Sequence, residues 1–151
     1  MDEREEGVGE CLLFSLEGGT EEEWGVVYDL TELTRICYAG GGRWVVVHGE
    51  DVERVWHGRT PERALAAYLG ERLEGEEGYL ERLPRECEEH LERARRARGE
   101  GDLRIAESWE EMHRKCLQEL EEQRVRVRLL RSAVEGLRSG RIKLRLEPLR
   151  E

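Results

Sequence analysis

The chain has 151 residues, 38% hydrophobic and 40% charged, with a formal net charge of −10. That balance suits long amphipathic helices with solvated faces better than one thick core, and no apolar run approaches the ~18 residues that a membrane span needs. The acidic start, Met1-Asp2-Glu3-Arg4-Glu5-Glu6, is not a secretory signal, so a cytoplasmic protein is expected.

Residues 1–10 read as an acidic tail. Cys11 to Leu16 is a short apolar run stopped by Gly18-Gly19, which predicts a strand. Trp24, Val26, Tyr28 and Leu30 alternate, the period of a half-buried strand, and Leu30, Leu33, Ile36 and Cys37 then switch to helical spacing. Glu21 to Glu23 read as a solvated turn. Gly40-Gly41-Gly42 precedes a strand rather than a helix, so it reads as a turn and not as a phosphate cradle. Arg43–His48 and Asp51–His57 flank Gly49-Glu50, a two-residue loop that predicts a hairpin with His48 facing Asp51. Thr60-Pro61-Glu62 is a helix start, with threonine as cap, proline at the first helical position and glutamate at the positive end of the dipole. Leu65, Tyr68, Leu69 and Leu73 form that helix's buried stripe. Trp24, Trp44, Trp56 and Trp109 are expected to be core residues.

The second half is helical. Pro84 is expected in the first turn of a helix that ends before Gly99 and Gly101. Asp102 or Ser108 caps the next helix, which continues towards Gly140. Its inward stripe runs through Ala106, Trp109, His113, Cys116, Leu120, Gln123, Val127, Leu130, Val134 and Leu137. Arg124–Arg128 alternates with valine, which leaves a strand there as an alternative. Arg141–Glu147 alternates cleanly and predicts a final strand. The expected fold is α+β: a small antiparallel β-sheet with one or two short helices, then a long antiparallel helical hairpin and a C-terminal strand. The expected divisions are a tail at 1–10, an α+β domain at 11–77, the hairpin at 78–140, and the last strand and tail at 141–151.

Cys87 and His90 read C-x-x-H, and His113 and Cys116 read H-x-x-C. The spacing is mirrored, so an antiparallel hairpin brings all four side chains to one level. The same register faces Leu83 with Leu120, Leu91 with Met112, Ala94 with Trp109 and Ala97 with Ala106. Residues three apart on a helix lie side by side, and two such pairs on facing helices can close on one ion. Two thiolates and two imidazoles would select zinc, in a closed site with a structural role. Three outcomes fit the pattern: a zinc site, a packed polar layer that sets register, or a Cys87–Cys116 disulfide. The disulfide ranks third, because thiols in a mesophile's cytosol stay reduced, although hyperthermophiles are an exception. Cys11 and Cys37 would pair if their strands are adjacent, but free buried thiols are the favoured reading, and His48 and His57 read as surface histidines.

Lysine occurs only at Lys115 and Lys143, and asparagine is absent. Few amides with many ionic side chains point to a thermophile, although GC-rich codon usage would give the same arginine bias. From Arg124 to Glu151 nine basic residues stand against three acidic ones, so the rest of the chain is strongly acidic. Arg124, Arg128, Arg131, Arg138 and Arg141 are the candidate partner-binding residues. No phosphate-loop, nucleophile-elbow or zinc-protease motif occurs. The expected function is therefore a non-enzymatic interaction or regulatory protein of a thermophilic bacterium or its phage. It would bind a protein partner, or a second copy of itself, through the long helix, with the hairpin clamped by structural zinc. Two alternatives stand beside it: a metal- or thiol-dependent enzyme using the Cys/His cluster, and a nucleic-acid binder using the basic C-terminal segment.

Overall fold

A computed structural model describes residues 10–49 and 51–148, with backbone only at 51–53. Apart from Glu10, the expected acidic tail lies outside the described residues. The element order is β1 (Cys11–Glu17), α1 (Glu21–Leu30), β2 (Thr34–Gly40), β3 (Arg43–His48), β4 (Asp51–Gly58), α2 (Pro61–Gly99), α3 (Leu103–Ser139) and β5 (Lys143–Pro148). The fold is α+β, with a five-stranded antiparallel sheet, a short helix, a hairpin of two long helices and a C-terminal strand. The chain divides into two compact units. The first ends at Leu73 and resumes at Leu129; the second is Glu74–Arg128. Both long helices contribute residues to both units.

In the first unit the sheet order is β4-β3-β2-β1-β5. The final strand returns to pair antiparallel with β1, from Leu12 opposite Pro148 to Glu17 opposite Lys143. One sheet face carries Leu16, Ile36 and Val46. These pack with Val27 and Leu30 of α1, Leu65, Tyr68 and Leu69 of α2, and Leu130, Val134 and Leu137 of α3. Alternate residues, Cys37, Val45 and Val47, form a smaller cluster on the other face. His48 is opposite Asp51, as the loop length predicts, and the register shifts beside it. Gly58 and Gly136 are needed for close approach. A Cβ at Gly58 would collide with the backbone of Arg63 and Ala64, and one at Gly136 would lie 2.7 Å from Arg141 Nη2.

Two expected elements are replaced. The alternating segment at Trp24–Leu30 is helix α1, not a strand. Thr20 caps it by accepting from Glu23 N at 3.2 Å, and the Glu23 carboxylate accepts from Thr20 N at 2.9 Å. This capping box and the stripe Glu23, Val27, Leu30 outweigh the two-residue alternation. The segment expected to turn helical after Leu30 is instead strand β2. Leu33 is exposed, so the helical spacing that included it is accidental.

The helix starting at Thr60 does not stop near residue 77. It accepts from Arg63 N through Thr60 Oγ1 at 3.1 Å and runs unbroken through Pro84 to Gly99. Pro84 is therefore an interior residue and leaves the Leu80 carbonyl without its usual donor. Burial of Leu83 and Cys87 on either side of it, with Tyr79 and Leu80 packed against them, offsets that loss. Asp102 caps α3, accepting from Ile105 N at 3.2 Å, and the Arg124–Arg128 alternation is helical.

Candidate functional site

The second unit is built on the seam between the two long helices. Leu83, Cys87, Cys116 and Leu120 are buried together, with Tyr79 and Leu80 packed against them. Ala94, Ala97 and Ala106 continue the seam with small side chains. This is the mirrored register read from the sequence, except that Met112 is exposed rather than directed inwards. Gln123 is buried one layer beyond Leu120, where its Nε2 donates to Glu76 Oε2 at 2.7 Å and to Glu76 O at 3.0 Å. Arg126 Nε donates to Glu76 Oε1 at 3.2 Å. Tyr79 donates its hydroxyl proton to Glu119 Oε1, and that carboxylate pushes the phenol pKa up to about 12.

At the Cys/His layer the Cys87 and Cys116 sulfurs are joined in a disulfide, with the Cα atoms 5.5 Å apart. Both residues are buried, at 2% and 5% exposure. His113 Nδ1 lies 2.8 Å from the Cys87 carbonyl oxygen. A carbonyl only accepts, so the ring donates there, and in the neutral tautomer Nε2 keeps its lone pair. His90 stacks obliquely on Trp109, with centroids 5.5 Å apart, and Arg93 lies over the same indole at 4.8 Å. His90 Nδ1 is buried and has no hydrogen-bond partner. The hairpin thus brings Cys87, Cys116 and His113 together and packs His90 beside them on the seam. Among the described residues no group of three or more His, Cys, Asp or Glu side chains is placed to hold a metal ion; here the two sulfurs are bonded to each other and His90 lies against Trp109.

In the first unit, Cys11 and Cys37 face each other across β1 and β2 and are also joined, where the sequence reading favours free thiols. The cross-strand register could not be derived while β2 was read as helix.

The five candidate partner-binding arginines are divided between the units. Arg124 Nη1 is 3.6 Å from Glu121, and Arg128 and Arg131 are exposed. Arg138 lines a shallow depression with Arg63, Thr60 and Lys143. Arg141 is engaged within the fold. Its two terminal nitrogens donate to Glu23 Oε1 at 3.0 Å and Oε2 at 2.8 Å, and Nη2 also donates to Ser132 O at 2.9 Å. Glu23 is buried and accepts from Ser132 Oγ at 2.7 Å as well. The Arg141 guanidinium is the main cause of the carboxyl's pKa of about 2. Sequence reading missed this site by taking Glu21 to Glu23 as a solvated turn; the Thr20-x-x-Glu23 capping box was the available signal.

Trp24, Trp44 and Trp56 pack against the first unit's core as expected. Tyr68 stands at the centre of that packing. Its hydroxyl donates to Leu30 O at 2.9 Å, receives Arg72 Nη1 at 3.2 Å and lies 3.3 Å from His48 Nδ1. The open cleft at the other end of β3 and β4 is lined by Gly41, Gly42, Arg43, His57, Gly58 and Arg59. It is cationic and wide, suited chemically to anions.

No helix among the described residues is long and apolar enough to cross a membrane. Compared with protein-family models, curated proteins and solved structures, the chain matches none.

Proposed function

We propose that the chain is a non-enzymatic interaction or regulatory protein, cytoplasmic in a thermophilic bacterium or its phage, that binds a protein partner through its helical hairpin. The observation that carries this reading is apolar surface on both sides of a narrow seam. Ile105 and Met112 are 48% and 43% exposed and seven residues apart, so they share one flank of α3. Leu103 and Leu117 are 56% and 46% exposed and fourteen apart, on the other flank. In helical bundles those flanking positions are where further helices pack. The two disulfides fit an intracellular protein of a hyperthermophile, where such bonds persist.

Sedimentation equilibrium tests the simplest form, self-association. Association at micromolar concentration that is lost in an Ile105→Glu/Met112→Glu double variant, with helix content kept, supports the reading. A monomer at every concentration removes a second copy as the partner.

Nucleic-acid binding is a second reading, favoured by the cleft of Arg43, His57 and Arg59 rather than by Arg141, which is already paired. Duplex binding that weakens steeply with salt, and weakens again in Arg43→Ala/Arg59→Ala, would support it. The metal- or thiol-dependent enzyme requires a substrate to reach Cys87 or Cys116, and both are buried in the seam.

A further inference from the structure

We propose that the Cys87–Cys116 layer is a redox-gated zinc site: closed as a disulfide when oxidised, and open to one Zn2+ per chain when reduced.

Three observations carry this. The Cys87–Cys116 bond lies inside the helical seam, so reduction releases two thiols that the packing keeps close. His113 donates through Nδ1 to the Cys87 carbonyl. Zinc-bound histidines usually hold their second nitrogen in this way, which fixes the ring and leaves Nε2 as the ligand. His90 Nδ1 is buried without any partner, an unsatisfied polar atom that a metal bond would satisfy. His90 follows Cys87 by three residues and His113 precedes Cys116 by three, so each pair lies one helical turn apart.

The chemistry balances in two steps. A dithiol reductant transfers two electrons and two protons to the Cys87–Cys116 bond, giving two thiols and the reductant's own disulfide. Zn2+ then displaces both thiol protons to solvent and forms two Zn–S bonds, and the two neutral imidazoles supply nitrogen lone pairs. Tetrahedral bonds of ~2.3 Å require the sulfurs to part to about 3.8 Å, which rotation of the cysteine side chains supplies. The His90 ring must turn from its place against Trp109 towards the sulfurs. Both states cross-link the same two helices at the same layer, so the hairpin stays clamped whichever way the cell's thiol balance shifts.

The test uses the full chain, oxidised and phosphine-reduced, titrated with Co2+ and then Zn2+. Absorption reports tetrahedral cobalt and thiolate-to-cobalt charge transfer, and circular dichroism reports helicity. The expected result is one Co2+ per reduced chain, displaced by one Zn2+, and none in the oxidised chain. Cys87→Ser should abolish the charge-transfer band while Cys37→Ser retains it, which separates this layer from the other cysteine pair. His113→Ala and His90→Ala should each weaken Zn2+ binding at least ~10-fold. If reduction melts the hairpin, Zn2+ should restore its helicity. A reduced, helical chain that takes no Co2+ would overturn the proposal. So would equal uptake by the oxidised chain, unchanged affinity in both histidine variants, or a melted hairpin that Zn2+ does not rescue.

Discussion

The two units use the same pair of helices and are held together differently. In the first, α2 and α3 lay fully buried Leu65, Tyr68, Leu69, Leu130 and Leu137 against a sheet face and α1. In the second, the same helices have only each other, and the buried apolar set shrinks to Leu83, Cys87, Cys116, Leu120, Val127 and three alanines. Burial stabilises at roughly 25 cal/mol per Å2 of apolar surface, so a seam one residue wide gains little from it. A covalent bond and polar pins compensate: the disulfide, Gln123 on Glu76, Tyr79 on Glu119 and His113 on Cys87. An amphipathic stripe therefore identifies a buried helix face without revealing how firmly that face is held.

The sharpest way to break the comparison is to cut the second unit's cross-link. The bond closes a loop of 29 residues, for which chain entropy gives about 3 to 4 kcal/mol. Cys87→Ser in metal-free protein should lower amide protection across Glu74–Arg128 by that amount and leave the sheet strands near their original values. Hydrogen exchange read by mass spectrometry resolves the two. Equal loss in both units would mean that they unfold as one.

The converse experiment thins the first unit's core. Leu65 is fully buried, and Leu65→Ala should cost about 3 kcal/mol through lost burial and the cavity left behind. Protection should fall first in the strands and α1. An equivalent loss at the Cys87–Cys116 layer, with the disulfide intact, would contradict the division.

Glu23 gives the first unit a pH dependence. Its carboxyl titrates at about 2, chiefly because of Arg141, well below the ordinary carboxylate range. A depressed folded-state pKa contributes stability above the unfolded value near 4.5 and loses it as pH falls towards 2. Melting of the first unit should therefore drop through that window, and Glu23→Gln should flatten the drop. At pH 7 the same substitution should cost about 2 kcal/mol, because Arg141 loses its carboxylate but stays partly solvated.

Much of this was legible in the residues, and the failures have physical causes. The hairpin register followed from mirrored spacing, because helical side chains meet every three or four residues on both arms. The last strand followed from its clean alternation. Helix α1 was missed because Trp24, Val26, Tyr28 and Leu30 alternate by chance, whereas the stripe that is buried is Glu23, Val27 and Leu30, and the Thr20–Glu23 cap was the signal for it. Pro84 suggested a helix start because the rule concerns the backbone, whereas seam packing on both sides of it decided the outcome. The state of the four cysteines was not legible. Spacing brings sulfurs together but does not say whether they bond to each other or to a metal.

The smallest effect isolates one polar pin. Gln123 occupies an inward heptad position where an aliphatic residue would be expected, yet it is buried and donates twice to Glu76. Gln123→Ala removes those donors and leaves Glu76 with Arg126 as a remaining partner, so the loss should be about 1 kcal/mol. Gln123→Leu retains the volume and adds apolar surface to the seam. If the pin mainly sets register, as buried polar residues do in coiled coils, the leucine variant should match or exceed the parent in melting temperature. It should also exchange amides faster around residues 76 and 123, because that layer loses its polar pin and only the Cys87–Cys116 layer still fixes the register. A leucine variant that is less stable and equally ordered would instead make Gln123 a source of stability, leaving the disulfide layer alone to fix the register of the second unit.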